Sequence, residues 1–256
     1  MTLRVTAREF LRGTLHRLGL TRVIDWLRQA RGNRFTIDKR APVRDRFAAI
    51  YQNDLWKMNE GQPSSGAGSS EHSAQNVIAS LPKVVSELGI SSLLDIGCGD
   101  FTWMKKIELP CLYTGIDIVP SVIANNQKEF STAQRNFICL DAITEDVPAV
   151  DAVLCREVLF HLSFADSMSL IRNVYKSGSR FFLTTTERAT GYNSDIDSGD
   201  FRILNLQISP FNFGPPIMEI ADDSVSVGRI IGVWRREYFP AWAKTHSDRP
   251  ASRPRP

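Results

Sequence analysis

The sequence predicts an α/β fold in which a parallel sheet is covered by helices on both faces. Three observations predict it. Five short apolar runs alternate with helix-length segments, the first run enters a Gly-x-Gly turn, and the ends of the first three runs carry Asp95, Asp117 and Asp141 in order. Short continuous apolar strands separated by helices are the pattern of parallel sheets buried on both sides. A chain of 256 residues, 43% hydrophobic and 23% charged, is long enough for one sizeable core. That composition argues against disorder and against a disulfide-stapled miniprotein.

The elements follow in chain order. Residues 6 to 30 place Phe10, Leu11, Leu15 and Leu18 at helical spacing and restart after Gly19 with Val23, Ile24 and Leu27, with arginines between them. This reads as two short basic amphipathic helices within an extension over residues 1–58. Such a pair lies on an anionic membrane surface, docks on a partner, or packs on the body as a lid. Residues 59–70 (NEGQPSSGAGSS) have the composition of a linker. A helix is expected from about Glu71, with Pro82 starting another turn and Gly89 at the C′ position.

The strand runs are Ser92 to Ile96, Leu112 to Ile118, Asn136 to Leu140, Asp151 to Cys155 and Arg180 to Thr185. The chain from Thr186 to Pro216 is long, polar and rich in Gly, Asn, Asp and Pro, a length that is usually functional inside a compact domain. Ile217 to Ile220 and Arg229 to Trp234 then read as a closing hairpin. The main domain is thus expected over residues 59–240, with a flexible tail over 241–256.

Net charge is +3, with a sequence pI of about 8.7, which faintly suggests nucleic-acid binding. The distribution removes that reading. Residues 1–40 hold ten Lys or Arg against three acids, a net of +7, and the remainder holds 21 basic and 25 acidic residues, a net of −4. A mildly acidic body is a poor phosphate-binding surface. Cys98, Cys111, Cys139 and Cys155 form no CxxC pair, and no His stands at metal-ligand spacing, so no metal is expected. Three of the four sit in apolar runs and read as buried thiols of a reducing compartment. No uncharged apolar stretch reaches the roughly 18 to 20 residues of a membrane span, and Arg8, Arg12 and Arg17 interrupt any signal-peptide core. A cytoplasmic protein is expected, peripheral at the inner membrane surface if the N-terminal helices dock there.

The segment Leu93-Leu94-Asp95-Ile96-Gly97-Cys98-Gly99-Asp100 is an apolar strand entering a glycine turn. Glycine permits positive φ and close approach of a ligand, and the carboxyl end of a first strand is where open α/β sheets bind ligands. A nicotinamide fingerprint needs a third Gly where Thr102 stands, and Asp95 places a carboxylate where a pyrophosphate would go. A cationic ligand fits better. Asp117 follows Gly99 by eighteen positions, the spacing at which an acid accepts from ribose hydroxyls. Asp141, at the third strand end, is placed to accept from an adenine amine.

With these motifs, residues 71 to 235 resemble the class I S-adenosylmethionine-dependent methyltransferases. The resemblance implies a Rossmann-like seven-stranded sheet with a reversed last hairpin. It also implies S-adenosylmethionine as cofactor, held at Asp95, Gly97, Cys98 and Gly99, at Asp117 and Ile118 for ribose, and at Asp141 and Ala142 for adenine, with Arg156 as a further contact. Asp100 departs from the third Gly of many relatives. Ser65-Gly66-Ala67-Gly68-Ser69 resembles the SGxGS stretch of a bacterial subgroup in which it precedes CGDFxWM, here Cys98 to Met104. On that likeness Ser65, Gly66, Gly68 and Ser69 contact the cofactor, and Phe101 and Trp103 are candidates for a pocket wall.

The fourth run continues as Cys155-Arg156-Glu157-Val158-Leu159-Phe160-His161. A helix beginning near Glu157 would put Glu157 and His161 on one face at i, i+4. The Pro-Pro-aromatic signature of nucleobase amine methylation is absent here. Methyl transfer from a sulfonium needs a positioned nucleophile and, for a hydroxyl, a base. His161 is the base candidate, and the roles open to Glu157 are to orient it, to bind substrate or to contribute to a metal site, for which two ligands are too few to claim a metal. Asn193, Asp200 and Arg202 in the long loop are candidate contacts for a hydroxyl-rich substrate. The reading is O-methylation of a small-molecule or glycan hydroxyl. Its alternatives are N- or C-methylation, or a noncatalytic protein that docks on a partner or membrane and retains the fold.

Overall fold

The computed structural model describes residues 38–57, 61–224 and 228–245, with Phe10, Leu11, Thr14, Leu15, Leu18, Leu20 and Val23 from the N-terminal segment. The arginines of the expected basic helical pair, and the tail from 246 onward, lie outside the described residues.

Seven strands form one sheet: β1 (Ser92–Ile96), β2 (Leu112–Asp117), β3 (Arg135–Cys139), β4 (Ala152–Cys155), β5 (Phe181–Glu187), β6 (Met218–Ala221) and β7 (Arg229–Arg235). Their spatial order is β3-β2-β1-β4-β5-β7-β6. The pairs from β3 through β5 are parallel, and β7 runs antiparallel to both of its neighbours. This is the seven-stranded sheet with a reversed last hairpin. The helices are α1 (Val43–Gln52), α2 (Glu71–Glu87), α3 (Pro120–Phe130), α4 (Phe164–Lys176) and the short α5 (Ala241–Lys244).

Continuous apolar runs become two-sided strands because successive side chains point to opposite faces. Leu93, Leu154 and Leu183 turn to one face, where Val77, Leu81 and Val85 of α2 cover them. Leu94, Val153 and Phe182 turn to the other and meet Leu170, Ile171 and Val174 of α4. The Ser70 hydroxyl caps α2 by accepting from the Ser73 amide at 3.2 Å. The helix runs unbroken through Pro82 rather than restarting there. Its buried stripe compensates for the hydrogen bond that proline cannot make.

Three further expectations change. The Ser-Gly segment is not a free linker, since Ala67–Ser69 form a 3-10 turn packed on the body. Cys139 is exposed rather than buried, because β3 is the edge strand and one of its faces is uncovered. Residues 241–245 are structured rather than frayed: α5 docks with the Trp242 indole donating to the Phe211 carbonyl at 2.7 Å.

The long loop after β5 has a largely buried interior, with Leu204, Leu206, Phe211 and Phe213 at 2% exposure or less. A buried segment without a ladder must satisfy its backbone through side chains. Asn193 does so by donating to the carbonyls of Asn205 (2.8 Å) and Ser209 (3.0 Å) and accepting from the Asn205 amide (2.8 Å).

The indole of Trp234 is fully buried, with its N–H on the Gly214 carbonyl at 2.8 Å. It lies along β7, over Gly232. A Cβ at Gly232 would stand 2.3 Å from that ring. Gly232→Ala is therefore expected to destabilise the protein by ~1–3 kcal/mol, seen in urea unfolding as a lower midpoint at unchanged slope.

Candidate active site

In this strand order the chain leaves β1 toward one side and reaches β4 on the other, and their carboxyl ends diverge to leave a crevice. A cleft opens there. Its floor is the turn after β1. Gly97 and Gly99 hold φ of +71° and +55°. The amides of Gly97 and Cys98 both donate to the Ile116 carbonyl, at 2.8 and 3.0 Å. A Cβ at Gly97 would meet the Val158 side chain at 2.4 Å, so this position requires glycine for shape as well as for φ. Asn126 of α3, fully buried, fixes the turn from below by donating to the Gly99 carbonyl at 2.7 Å. Asn126 belongs to no motif; it stands in the polar run Asn125-Asn126-Gln127-Lys128, and only its helical spacing from Val122 and Ile123 marks it as facing inward.

Asp117 closes the turn, with its carboxylate accepting from the Gly99 amide (3.1 Å) and the Val119 amide (3.0 Å). Burial raises its pKa to about 6 against those two hydrogen bonds. Asp95 is 3% exposed and accepts from the Tyr113 hydroxyl at 2.7 Å. Burial raises it to about 7, with Tyr113 and the charge of Arg156 acting against the rise. Gly97, Asp117, Ile118, Asp141 and Ala142 line the cleft together, beside the apolar wall of Leu140, Ile143, Leu162 and Leu170. Asp141 also organises its own turn, accepting from the Ile143 amide and the Thr144 hydroxyl, both at 2.9 Å. The Cys98 side chain points away into the core on the α2 face, so only its backbone belongs to the turn. Phe101 and Trp103 are core residues, not pocket wall. Phe101 packs at 5.0 Å on Phe137, and Trp103 lies under the Arg156 guanidinium at 5.1 Å.

The segment after β4 departs from the expected helix. Glu157 is left-handed at φ +62°, and Val158–His161 form a 3-10 turn, so Glu157 and His161 do not share an α-helical face. Glu157 pairs with Arg229 and lies 3.8 Å from Arg156. His161 lines the cleft, stacks on Trp56 with ring centroids 4.3 Å apart, and sets Nδ1 3.0 Å from the Asp200 carbonyl. Burial lowers its pKa to about 4, opposed by the Asp200 hydrogen bond and the charge of Glu157.

A roof completes the cleft: Phe47 and Tyr51 of α1, one turn apart, and Trp56. Phe47, Tyr51 and Trp56, which the sequence places in the extension over residues 1–58, thus line the cleft. The strap Ser65–Ser69 lies beside it, with the Ser65 hydroxyl on Asp100 at 2.7 Å and the Gly68 carbonyl accepting from Arg156 at 2.8 Å. Arg156 also holds Asp222 through two bonds of 3.0 and 2.8 Å. The loop candidates serve the loop. Arg202, fully buried, donates to the carbonyls of Ser194 (2.9 Å) and Leu159 (2.6 Å), Asn193 braces its own backbone, and Asp200 contributes its carbonyl to His161. None of the three is among the residues lining the cleft. Buried loop backbone has the first claim on such side chains.

S-adenosylmethionine, implied by the motifs, fits this donor set. The cleft offers an apolar slot for a flat ring and an acid at the end of β2 with backbone N–H groups beside it. A turn with no side chain on its cleft side permits close approach, and buried carboxylates suit a cation better than a phosphate.

Residues 94–178 match the sequence family described as a methyltransferase domain. Among solved structures the chain is similar to magnesium protoporphyrin IX methyltransferase (ChlM) from Synechocystis PCC 6803 with bound SAM. That match has a TM-score of 0.52 and 16% identity, over 78% of this chain and 98% of that one. It is also similar to N-methyltransferase NodS from Bradyrhizobium japonicum WM9 in complex with S-adenosyl-L-homocysteine, with a TM-score of 0.50 and 16% identity, over 76% and 98%. Likeness at this identity speaks for the fold. No curated protein matches the chain in sequence.

The shifted groups make stability depend on pH. Asp95, raised to about 7, binds its proton more tightly in the folded state, so its contribution declines as pH rises from about 4 to 7. Asp117 acts likewise up to about 6. His161, lowered to about 4, acts in the opposite sense: its contribution is complete above about 6.5 and is lost as pH falls through 4. In urea unfolding at pH 4.5 and 7.5, Asp95→Asn should gain stability relative to the wild type between the lower and the higher pH. Equal changes in both proteins would remove Asp95 from this role.

Proposed function

We propose that this chain is a class I S-adenosylmethionine-dependent methyltransferase and that it methylates a hydroxyl of a small-molecule or glycan acceptor, with His161 receiving the proton. The observation that carries the reading is the contact of His161 Nδ1 with the Asp200 carbonyl. A carbonyl only accepts, so Nδ1 keeps its hydrogen and Nε2 keeps its lone pair, on a ring that lines the cleft. Burial holds that ring neutral at pH 7.

When bound, S-adenosylmethionine supplies an electrophilic methyl on a sulfonium whose departure needs no proton. The chain's part is to position the acceptor, exclude water and take the hydroxyl proton. That proton becomes strongly acidic as the new bond to oxygen forms, so an imidazole of low basicity suffices. Glu157 favours the resulting imidazolium through space. In our reading Asp117 with Ile118 holds the ribose, Asp141 with Ala142 the adenine, and the turn Asp95 to Gly99 the aminoacyl end. Phe47, Tyr51 and Trp56 keep water from the cleft.

Calorimetric titration with S-adenosylhomocysteine is expected to show binding, weakened at least about ten-fold in Asp117→Ala. With an acceptor found by a labelled-methyl screen of surface-polysaccharide precursors, His161→Gln should lower kcat by roughly 10²–10⁴-fold at near-normal cofactor affinity. Full turnover in that variant would point instead to a neutral amine acceptor, whose lone pair attacks without a base from the protein.

We also assign the N-terminal segment to peripheral contact with an anionic membrane on the cytoplasmic side. Five of the nine exposed large hydrophobic side chains among the described residues, Phe10, Leu11, Leu18, Leu20 and Val23, fall within it, and the sequence sets Arg8, Arg12, Arg17 and Arg22 among them. No helix among the described residues is long and apolar enough to cross a membrane. Deletion of residues 1–34 should abolish cosedimentation with phosphatidylglycerol vesicles and leave S-adenosylhomocysteine affinity intact.

A further inference from the structure

Asp100 stands immediately after the glycine turn, where many class I methyltransferases have a third glycine. A side chain there must have somewhere to go, and in this chain it goes to the strap. Its Oδ1 accepts from the Ser65 hydroxyl at 2.7 Å and from the Thr102 hydroxyl at 2.7 Å, and its Oδ2 lies 3.4 Å from the Ser65 amide. Ser65 in turn sits over the turn, its Cβ 3.0 Å from where a Cβ of Gly99 would be. The next residue, Gly66 at φ +99°, is buried against Trp56: a Cβ built on it would stand 3.5 Å from the Trp56 Cβ. Trp56 carries the roof and the stack on His161. A line of contacts thus runs from Asp100 through Ser65 and Gly66 to the indole over the cleft.

The strap is held at its other end by a different kind of bond. The Gly68 carbonyl accepts from Arg156, whose guanidinium is 4% exposed and doubly bonded to the fully buried carboxylate of Asp222. A Cβ at Gly68 would collide with the Glu157 carboxylate at 1.9 Å. Arg156 is therefore engaged in fixing the strap to the β6–β7 hairpin. That end, desolvated and ionic, is costly to break. The Ser65–Asp100 end is half-buried and reachable by water, which can replace the serine as donor. One end is a hinge and the other a latch.

We propose that Asp100 is a positioning residue that latches the strap Ser65–Ser69, and through it the Trp56 roof, over the cofactor cleft, so that it governs how fast the cofactor product leaves. The cofactor enters and departs when the Ser65–Asp100 contact opens, while Arg156 keeps the far end in place. This rests on the reading of the cleft as the cofactor site.

Stopped-flow release of S-adenosylhomocysteine from the full chain tests it, with Asp100→Ala, Ser65→Ala, the double variant and Asp100→Asn. Each single alanine should speed release about ten-fold, the size expected for loss of one charge-assisted hydrogen bond. The double should be no faster than the singles, because both remove the same contact. Asp100→Asn, which retains an acceptor for Ser65, should recover most of the slow release. Thermal midpoints of the ligand-free variants should stay at the wild-type value, which separates a latch from general loosening. Unchanged release in both single variants, or additive effects in the double, overturns the proposal alone. Failure of the wild type to bind S-adenosylhomocysteine overturns the cofactor reading and the latch with it.

Discussion

Everything at the site depends on a turn of three residues that has no room for a side chain on its cleft side. Gly97 must leave space for Val158, which comes from the far side of the crevice, and the turn is held from three directions at once. The Ile116 carbonyl takes two of its amides, Asp117 takes a third, and Asn126 donates to its last carbonyl. With its three amides and the carbonyls of Cys98 and Gly99 assigned, the geometry of the turn is set before any ligand arrives. Such preorganisation is what a binding site needs if its contacts are to favour the ligand rather than order the protein.

Around that turn the protein buries more charge than a core of this size would hold for stability alone. Asp95 and Asp117 sit beneath the cleft with pKa values driven up by burial, and Arg156, Asp222, Glu157 and Arg229 form an ionic network beside it. Buried ion pairs contribute little net stability compared with apolar packing. Their use here is positional. The network ties together the end of β4, the strap and the last hairpin, three segments far apart in sequence that must meet at one cleft. The two buried acids leave negative potential where a cationic cofactor would lie.

The sheet and its motif-bearing strand ends were legible because they rest on local rules. Apolar runs of four to seven residues, the glycine turn and the acids at strand ends report backbone needs that any context shares. The roof was not legible. Phe47 and Tyr51 lie on a half-buried helix with no motif, and their place over the cleft follows from how α1 packs. The loop after β5 misled in the other direction. Its Asn, Asp and Arg look like substrate ligands on a surface loop, yet the loop folds inward and spends Asn193 and Arg202 on its own backbone. Polar composition reports a demand for hydrogen bonds without saying whether a ligand or the chain itself meets it.

The sequence by itself determined the order of strands and helices, the two carboxylates at the ends of β1 and β2, and the placement of His161 just beyond β4. Each of these is written in a few neighbouring residues. Tertiary structure decided which of the polar residues act together. Glu157 and His161, four apart, were separated by a left-handed residue and a tight turn, and Glu157 was paired with Arg229 from the last strand. Asp100, marked in the sequence only by standing where many relatives have a glycine, met Ser65 thirty-five positions earlier. A side chain's partner is fixed by where the packed core leaves it, and burial then sets the charge it carries.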